Sequence, residues 1–169
     1  MRERPRALRR ADAVVVAAKS GEEVAAPSVT KPLFRVTLRA RTLVESDGGQ
    51  WRELPIGQLS GRRVAAVCGI ADPTSFYTTV RQWEAEISEI FEYPDHHRYT
   101  PSDWQTIARG TRDVEFIVTT EKDLVKLERF PFAKGKLVAL RIEPDIDDGD
   151  ALLRMVCERA GLNQAPKGA

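Results

Sequence analysis

The sequence predicts an α/β fold: a small, mainly parallel sheet with flanking helices, preceded by a two-stranded β-hairpin linker. Three observations carry that expectation. From position 61 onward the short apolar runs "RRVAAVCGIA", "VEFIVTT" and "KLVALRIEP" alternate with stretches of helical periodicity. Strands that alternate with helices build parallel sheets whose faces are covered by those helices. Ahead of them, "FRVTLRARTLV" has a period of two, with Phe34, Val36, Leu38 and Ala40 on one side and Arg35, Thr37, Arg39 and Arg41 on the other. That is the pattern of a half-buried strand. "SDGGQ" then reads as a turn and "WRELPI" as the return strand of a hairpin.

Taken in chain order, Ala13 to Ala17 in "RRADAVVVAAKSG" form a short buried strand, fed by a segment suited to a helix end. Residues 19–32, "KSGEEVAAPSVTKP", read as a loop. After the hairpin and the first apolar run, Asp72 and Pro73 open a helix as N-cap and first helical residue, and Phe76, Val80 and Trp83 supply its apolar face. "EISEIFEY" is the next strand, or else prolongs that helix. Thr100, Pro101 and Asp103 open a second helix in a capping-box pattern, with Trp104, Ile107 and Ala108 on its buried side. "VEFIVTT" is a strand, "LVKLERF" a short helical turn and "KLVALRIEP" a strand. Leu152, Leu153, Val156, Cys157 and Ala160 mark a last amphipathic helix that stops at Gly161.

Bulk properties bound the function only loosely. A chain of 169 residues, 42% hydrophobic and 30% charged, suits one soluble domain or a domain with an appendage, and excludes general disorder. A net charge of +1 argues neither for nor against nucleic acid. The basic residues are not interleaved with aromatics as single-strand binders require, so no nucleic-acid partner is expected. Charge is nonetheless uneven. "MRERPRALRR" holds five arginines against one glutamate, and "EPDIDDGD" holds five acids and no base. The basic start could face phosphates or an anionic membrane surface, or could simply be a solvated terminus. Cys68 and Cys157, without metal spacing and without a secretion signal, indicate a reducing compartment. No run approaches the roughly 18 apolar residues of a membrane span.

In open α/β sheets, ligands gather at the carboxyl ends of the strands. Three strand ends here are polar: "CGIADP" (68–73), "YPDHHRYT" (93–100) and "TTEKD" (119–123). If the strands are parallel, all three open onto one edge. "GIADP" offers a glycine and a helix start that could hold an anion, or is a plain strand-to-helix turn. "DHH" sets Asp95 beside His96 and His97, the only two histidines. A carboxylate can fix an imidazole tautomer and make it a proton acceptor, but neighbours on an extended chain point apart, and such a pair can equally be structural. Lys122, between Glu121 and Asp123, could meet a phosphate as a compact charge, or be neutralised by those two acids in a surface network. There is no G-x-x-x-x-G-K-[ST] loop, no zinc spacing and no G-x-S-x-G elbow.

"GIADPTSF", "YPDHHRYTPSD" and "VTTEKDLVKL", in this order and at these separations, resemble the C-terminal half of the tetraacyldisaccharide 4′-kinases. "RPRALRRADAVVV" also resembles the stretch that closes that family's kinase lobe. The resemblance implies a P-loop α/β lobe joined through a two-stranded linker to a smaller α/β lobe. On that basis residues 1–30 are a remnant of the P-loop lobe, 31–60 the hairpin linker and 61–169 the C-terminal lobe. It implies transfer of the γ-phosphate of ATP, with Mg2+, to the 4′-hydroxyl of the lipid A disaccharide precursor, at the cytoplasmic face of the bacterial inner membrane. By its place in the D-H-H motif, His96 would help deprotonate the sugar hydroxyl and Asp95 would orient it or the turn. His97 and Tyr99 would be packing or substrate-side residues, and Lys122 a charge contact. The nucleotide loop, the acids that handle magnesium and the membrane segment are absent from these residues. The chain alone is therefore expected to be inactive and soluble, to bind neither ATP nor Mg2+, and to be a fragment, a split-gene product or a truncation awaiting its P-loop lobe.

Two other functions compete. "DHH" also names a motif of metal-dependent phosphoesterases, but those need further spaced aspartates for two metal ions, and none precede Asp95 in such a set. A non-catalytic α/β binding module would share the fold and lack the chemistry.

Overall fold

The computed structural model describes residues 5–19, 25, 27–28, 30–47 and 49–162. The first four residues of the basic start and half of the expected loop at 19–32 lie outside them. Among the described residues no helix is long and apolar enough to cross a membrane. Contacts divide the chain into two compact units, one of residues 1–39 with 143–169, the other of residues 40–142.

In the first unit a 3-10 turn over Pro5–Arg10 leads into β1 (Val14–Lys19). This strand runs parallel to the start of β2 (Leu33–Asp47), with Val14 opposite Leu33 and Ala17 opposite Val36. The end of β7 (Leu137–Ile146) and α4 (Gly149–Arg159) complete it. Arg39 meets Asp145 at 3.1 Å, and Arg159 meets Asp12 at 3.2 Å. Val14, Phe34, Val36 and Cys157 are buried. The period-two reading of β2 holds at Phe34 and Val36 but fails at Leu38, which is 43% exposed. The helical period of α4 is likewise only partly used: Leu153 and Val156 stay exposed while Cys157 is buried. Periodicity fixes which residues share a face; it does not supply the surface that would cover them.

The second unit holds the mainly parallel sheet with its flanking helices. The latter part of β2 pairs antiparallel with β3 (Gln50–Pro55), from Asp47 opposite Gln50 to Thr42 opposite Pro55, which is the expected hairpin. Here the strand order is β2-β7-β6-β4-β5, where β4 is Arg63–Cys68, β5 Glu86–Glu92 and β6 Phe116–Thr120. The pairs β4–β5, β4–β6 and β6–β7 are all parallel. "EISEIFEY" is thus a strand and does not prolong the preceding helix.

The central strand β4 shows why its sequence is apolar throughout. Val64, Ala66 and Cys68 join one core cluster with Phe76, Tyr77 and Val80 of α1 (Pro73–Arg81). Ala65 and Val67 join another, with Ile107 of α2 (Pro101–Gly110) and Leu124 and Leu127 of α3 (Glu121–Leu127). Successive side chains of a strand point to opposite faces, so a strand covered on both faces has no polar position to spare. Trp83 is only partly buried, and Tyr77 takes a larger share of the α1 core face than the sequence suggested. α3 starts at Glu121, three residues before the expected turn, because Thr120 caps it by accepting the Asp123 backbone N–H.

Candidate functional site

Because β4, β5 and β6 are parallel, their carboxyl ends form one rim, and hydrogen bonds join the three segments there. The Tyr93 N–H donates to the Cys68 carbonyl at 2.9 Å, linking the ends of β5 and β4. The Gly69 N–H donates to Asp123 Oδ2 at 2.8 Å, linking β4 to the first turn of α3. Lys122 Nζ donates to Asp95 Oδ1 at 2.7 Å, linking α3 to the turn after β5.

That turn is closed by the His97 N–H donating to the Pro94 carbonyl at 3.0 Å. His96 occupies the left-handed region, with φ of 61°. Histidine is among the non-glycine residues enriched in that region. His96 projects outward, its side chain 80% exposed, whereas His97 is only 25% exposed.

The two histidines therefore meet different surroundings. Asp95 Oδ1 accepts the His96 backbone N–H at 2.9 Å, and Asp95 Oδ2 lies 3.5 Å from His96 Nε2. The Lys122 hydrogen bond, aided by the charge of His96, holds the Asp95 carboxyl below its ordinary range. His97 instead stacks on Tyr93, with centroids 4.6 Å apart, and meets Tyr99 edge-on at 5.1 Å. Its Nε2 lies 3.0 Å from Asp103 Oδ2. Burial pushes the Asp103 carboxyl up, but the hydrogen bonds from His97 and from the Thr100 N–H and hydroxyl outweigh it and leave the group below its usual value.

Tyr99 is buried, and its hydroxyl has no hydrogen-bond partner among the described residues. Burial, with the Asp123 charge nearby, pushes that hydroxyl up. Its place is among packed rings. Its carbonyl accepts from Arg129, and Lys126 Nζ stands 5.8 Å from its ring centroid.

Lys122 is not neutralised by the acids beside it. Glu121 is taken by Arg141 Nε at 2.9 Å. Asp123 is taken by Gly69, by Lys126 Nζ at 2.7 Å and by the Thr120 hydroxyl at 3.0 Å. Among the described residues no cluster of His, Cys, Asp and Glu could hold a metal ion. The sequence contains no G-x-x-x-x-G-K-[ST] phosphate-cradling loop.

A family model described as tetraacyldisaccharide-1-P 4′-kinase matches residues 1–160. This chain belongs to the tetraacyldisaccharide 4′-kinase family. The tetraacyldisaccharide 4′-kinase of Syntrophus aciditrophicus is 38% identical over 180 residues, which cover 92% of this chain and 47% of that protein. That of a Bradyrhizobium species is 32% identical over 168 residues, covering 95% and 47%. A crystal structure of LpxK from Aquifex aeolicus in complex with ATP is similar with a TM-score of 0.69 and 25% identity, covering 94% of this chain and 45% of that one. The chain spans about half the length of these relatives.

In this member of the tetraacyldisaccharide 4′-kinase family the residue that sequence reading missed is Asp123. It is fully buried and touches two of the three rim segments. A signal for it existed. Thr120-x-x-Asp123 repeats the spacing of Thr100-x-x-Asp103, and both pairs cap helices that start at the rim.

Proposed function

We propose that this chain is the C-terminal part of a tetraacyldisaccharide 4′-kinase, the enzyme that passes the ATP γ-phosphate to the 4′-hydroxyl of the lipid A disaccharide precursor. The observation that carries this reading is the exposed His96 imidazole, on the strand-end rim with a carboxylate beside it. In this reading residues 1–30, 31–60 and 61–169 are the remnant of a P-loop lobe, the linker and the C-terminal lobe. Nucleotide and magnesium would belong to the P-loop lobe.

The chemistry left to this chain is proton handling. A sugar hydroxyl is a weak nucleophile, and phosphoryl transfer gains from a positioned group that takes its proton as the new bond to phosphorus forms. Imidazole suits that task near neutral pH. An exposed ring can reach a hydroxyl presented from outside this unit, which a buried ring could not. Asp95 would orient the ring and offset the charge it gains. The His97 and Tyr99 rings would hold the turn in place, with no direct hold on the sugar. The proposed setting is the cytoplasmic face of the bacterial inner membrane, where the basic start could meet anionic headgroups.

The test joins this chain to the P-loop lobe of a relative and measures phosphorylation of the disaccharide. His96→Asn suits the backbone, since asparagine tolerates positive φ, but cannot take a proton at neutral pH. Turnover should fall by about 10²–10⁴-fold with the fold intact. Equal turnover by His96→Asn would remove the proton-acceptor role and favour a binding module. Turnover by the 169 residues alone would overturn the assignment of nucleotide handling to the other lobe.

A further inference from the structure

We infer that Lys122 is a positioning residue, which pins one oxygen of Asp95 so that the other faces the His96 imidazole. This deepens the kinase reading and rests on it for what the imidazole is used for.

The location of Lys122 needs a reason. With Thr120 as N-cap, Lys122 is the second residue of α3. A cation in the first turn of a helix sits at the positive end of the helix dipole and is unfavourable there. The two acids beside it in sequence do not compensate, because Glu121 is held by Arg141 and Asp123 by Gly69, Thr120 and Lys126. It bonds Asp95, 27 positions earlier and on another rim segment.

Both ends of that contact stand on fixed backbone. On the lysine side, the Thr120–Asp123 cap sets the first turn of α3, and the Asp123 bond to the Gly69 N–H ties that turn to β4. On the Asp95 side, the His97 N–H to Pro94 carbonyl bond closes the turn.

The division of labour within the Asp95 carboxylate decides what the contact does. Oδ1 takes both donors, Lys122 Nζ at 2.7 Å and the His96 N–H at 2.9 Å. Oδ2 is left facing His96 Nε2 at 3.5 Å. Without the lysine only the adjacent backbone N–H would hold Oδ1, and a side chain 39% exposed would be free to rotate into water. The lysine thus aims a carboxylate, and Asp95 already offsets its charge before any phosphate meets it.

The experiment is carried out on this chain at neutral pH. Three-bond couplings to the Asp95 carboxyl carbon report its χ1 rotamers, and ring-to-side-chain Overhauser effects report whether it faces His96. The parent should show one rotamer. Lys122→Met keeps most of the apolar stem and removes the charge. It should average the couplings toward those of a free aspartate and abolish the Asp95–His96 ring effects. Lys122→Arg should restore both. A single unchanged rotamer in Lys122→Met overturns the inference, and so does averaging in the parent. These readouts require no turnover. A joined two-lobe protein that is inactive with Lys122 and His96 intact would count against the kinase reading alone. If that protein is active, Lys122→Met should lower kcat about tenfold at a nearly constant KM. A rise confined to KM would identify a substrate ligand and overturn the positioning role.

Discussion

The Asp123 carboxylate, with 0% of its surface exposed, accepts the Gly69 backbone N–H at 2.8 Å and so ties the exit of β4 to the start of α3. The same side chain receives Lys126 and the Thr120 hydroxyl. Removing a buried charged acceptor leaves its donors stranded, which costs more than the bonds themselves contribute. Asp123→Ala should therefore lose about 3–5 kcal/mol in urea unfolding. Asp123→Asn should lose less, because an amide oxygen can still accept from Gly69. A cost below about 1 kcal/mol for Asp123→Ala would mean that the rim is held by packing alone.

Gly69 is the other half of that relationship, and its lack of a side chain is required by its neighbours. A Cβ there would lie 3.2 Å from the Pro94 carbonyl oxygen, 3.4 Å from His97 Cβ and 3.4 Å from the Tyr99 hydroxyl. The first of these is backbone and cannot swing away. Gly69→Ala should cost about 1–3 kcal/mol as overpacking. It should also shift the backbone amide signals of residues 94–99, with those of α1 little changed.

The adjacent histidines should separate cleanly under substitution. His97 stacks on Tyr93 and bonds Asp103, so His97→Ala should destabilise by about 1–3 kcal/mol. His96 is exposed and already pays for its positive φ, so His96→Asn should stay within about 0.5 kcal/mol of the parent. The opposite order in urea unfolding would reverse the assignment of structural and solvent-facing roles.

Much of this was legible from sequence because it is local. Caps at Asp72 and Thr100, the doubly apolar β4 and the hairpin turn are decided by a few neighbouring residues. The polar strand ends could be placed on one rim once the strands were taken as parallel. What stayed hidden was which partner each polar group chooses. Lys122 passes over two adjacent acids for Asp95, and Asp123 reaches across to a backbone N–H 54 positions away. Such choices depend on distances between strands that no sequence period encodes. The exposed Leu153 and Val156 mark the same limit from the other side, since a helical period names a face without naming its cover.

Asp103 makes the rim sensitive to acid. Burial alone would raise its pKa, but the bonds from His97 and Thr100 hold it below the ordinary aspartate value in the folded chain. A carboxyl whose folded pKa is depressed contributes stability above its unfolded pKa, and that contribution is lost as pH falls through the folded value. Urea midpoints of the parent should thus decline from about pH 4 downward through this group. Asp103→Asn cannot titrate, so the gap between parent and variant should be about 1 kcal/mol near neutrality and should narrow in acid. The sign follows from ionisation: below the folded pKa the parent carries a neutral acid where the variant carries a neutral amide, and the charge-assisted bonds from His97 and Thr100 are gone from both. A gap that stays constant from pH 6 to pH 3 would show that the Asp103 charge does not hold His97, leaving the ring stack on Tyr93 as what fixes that side chain.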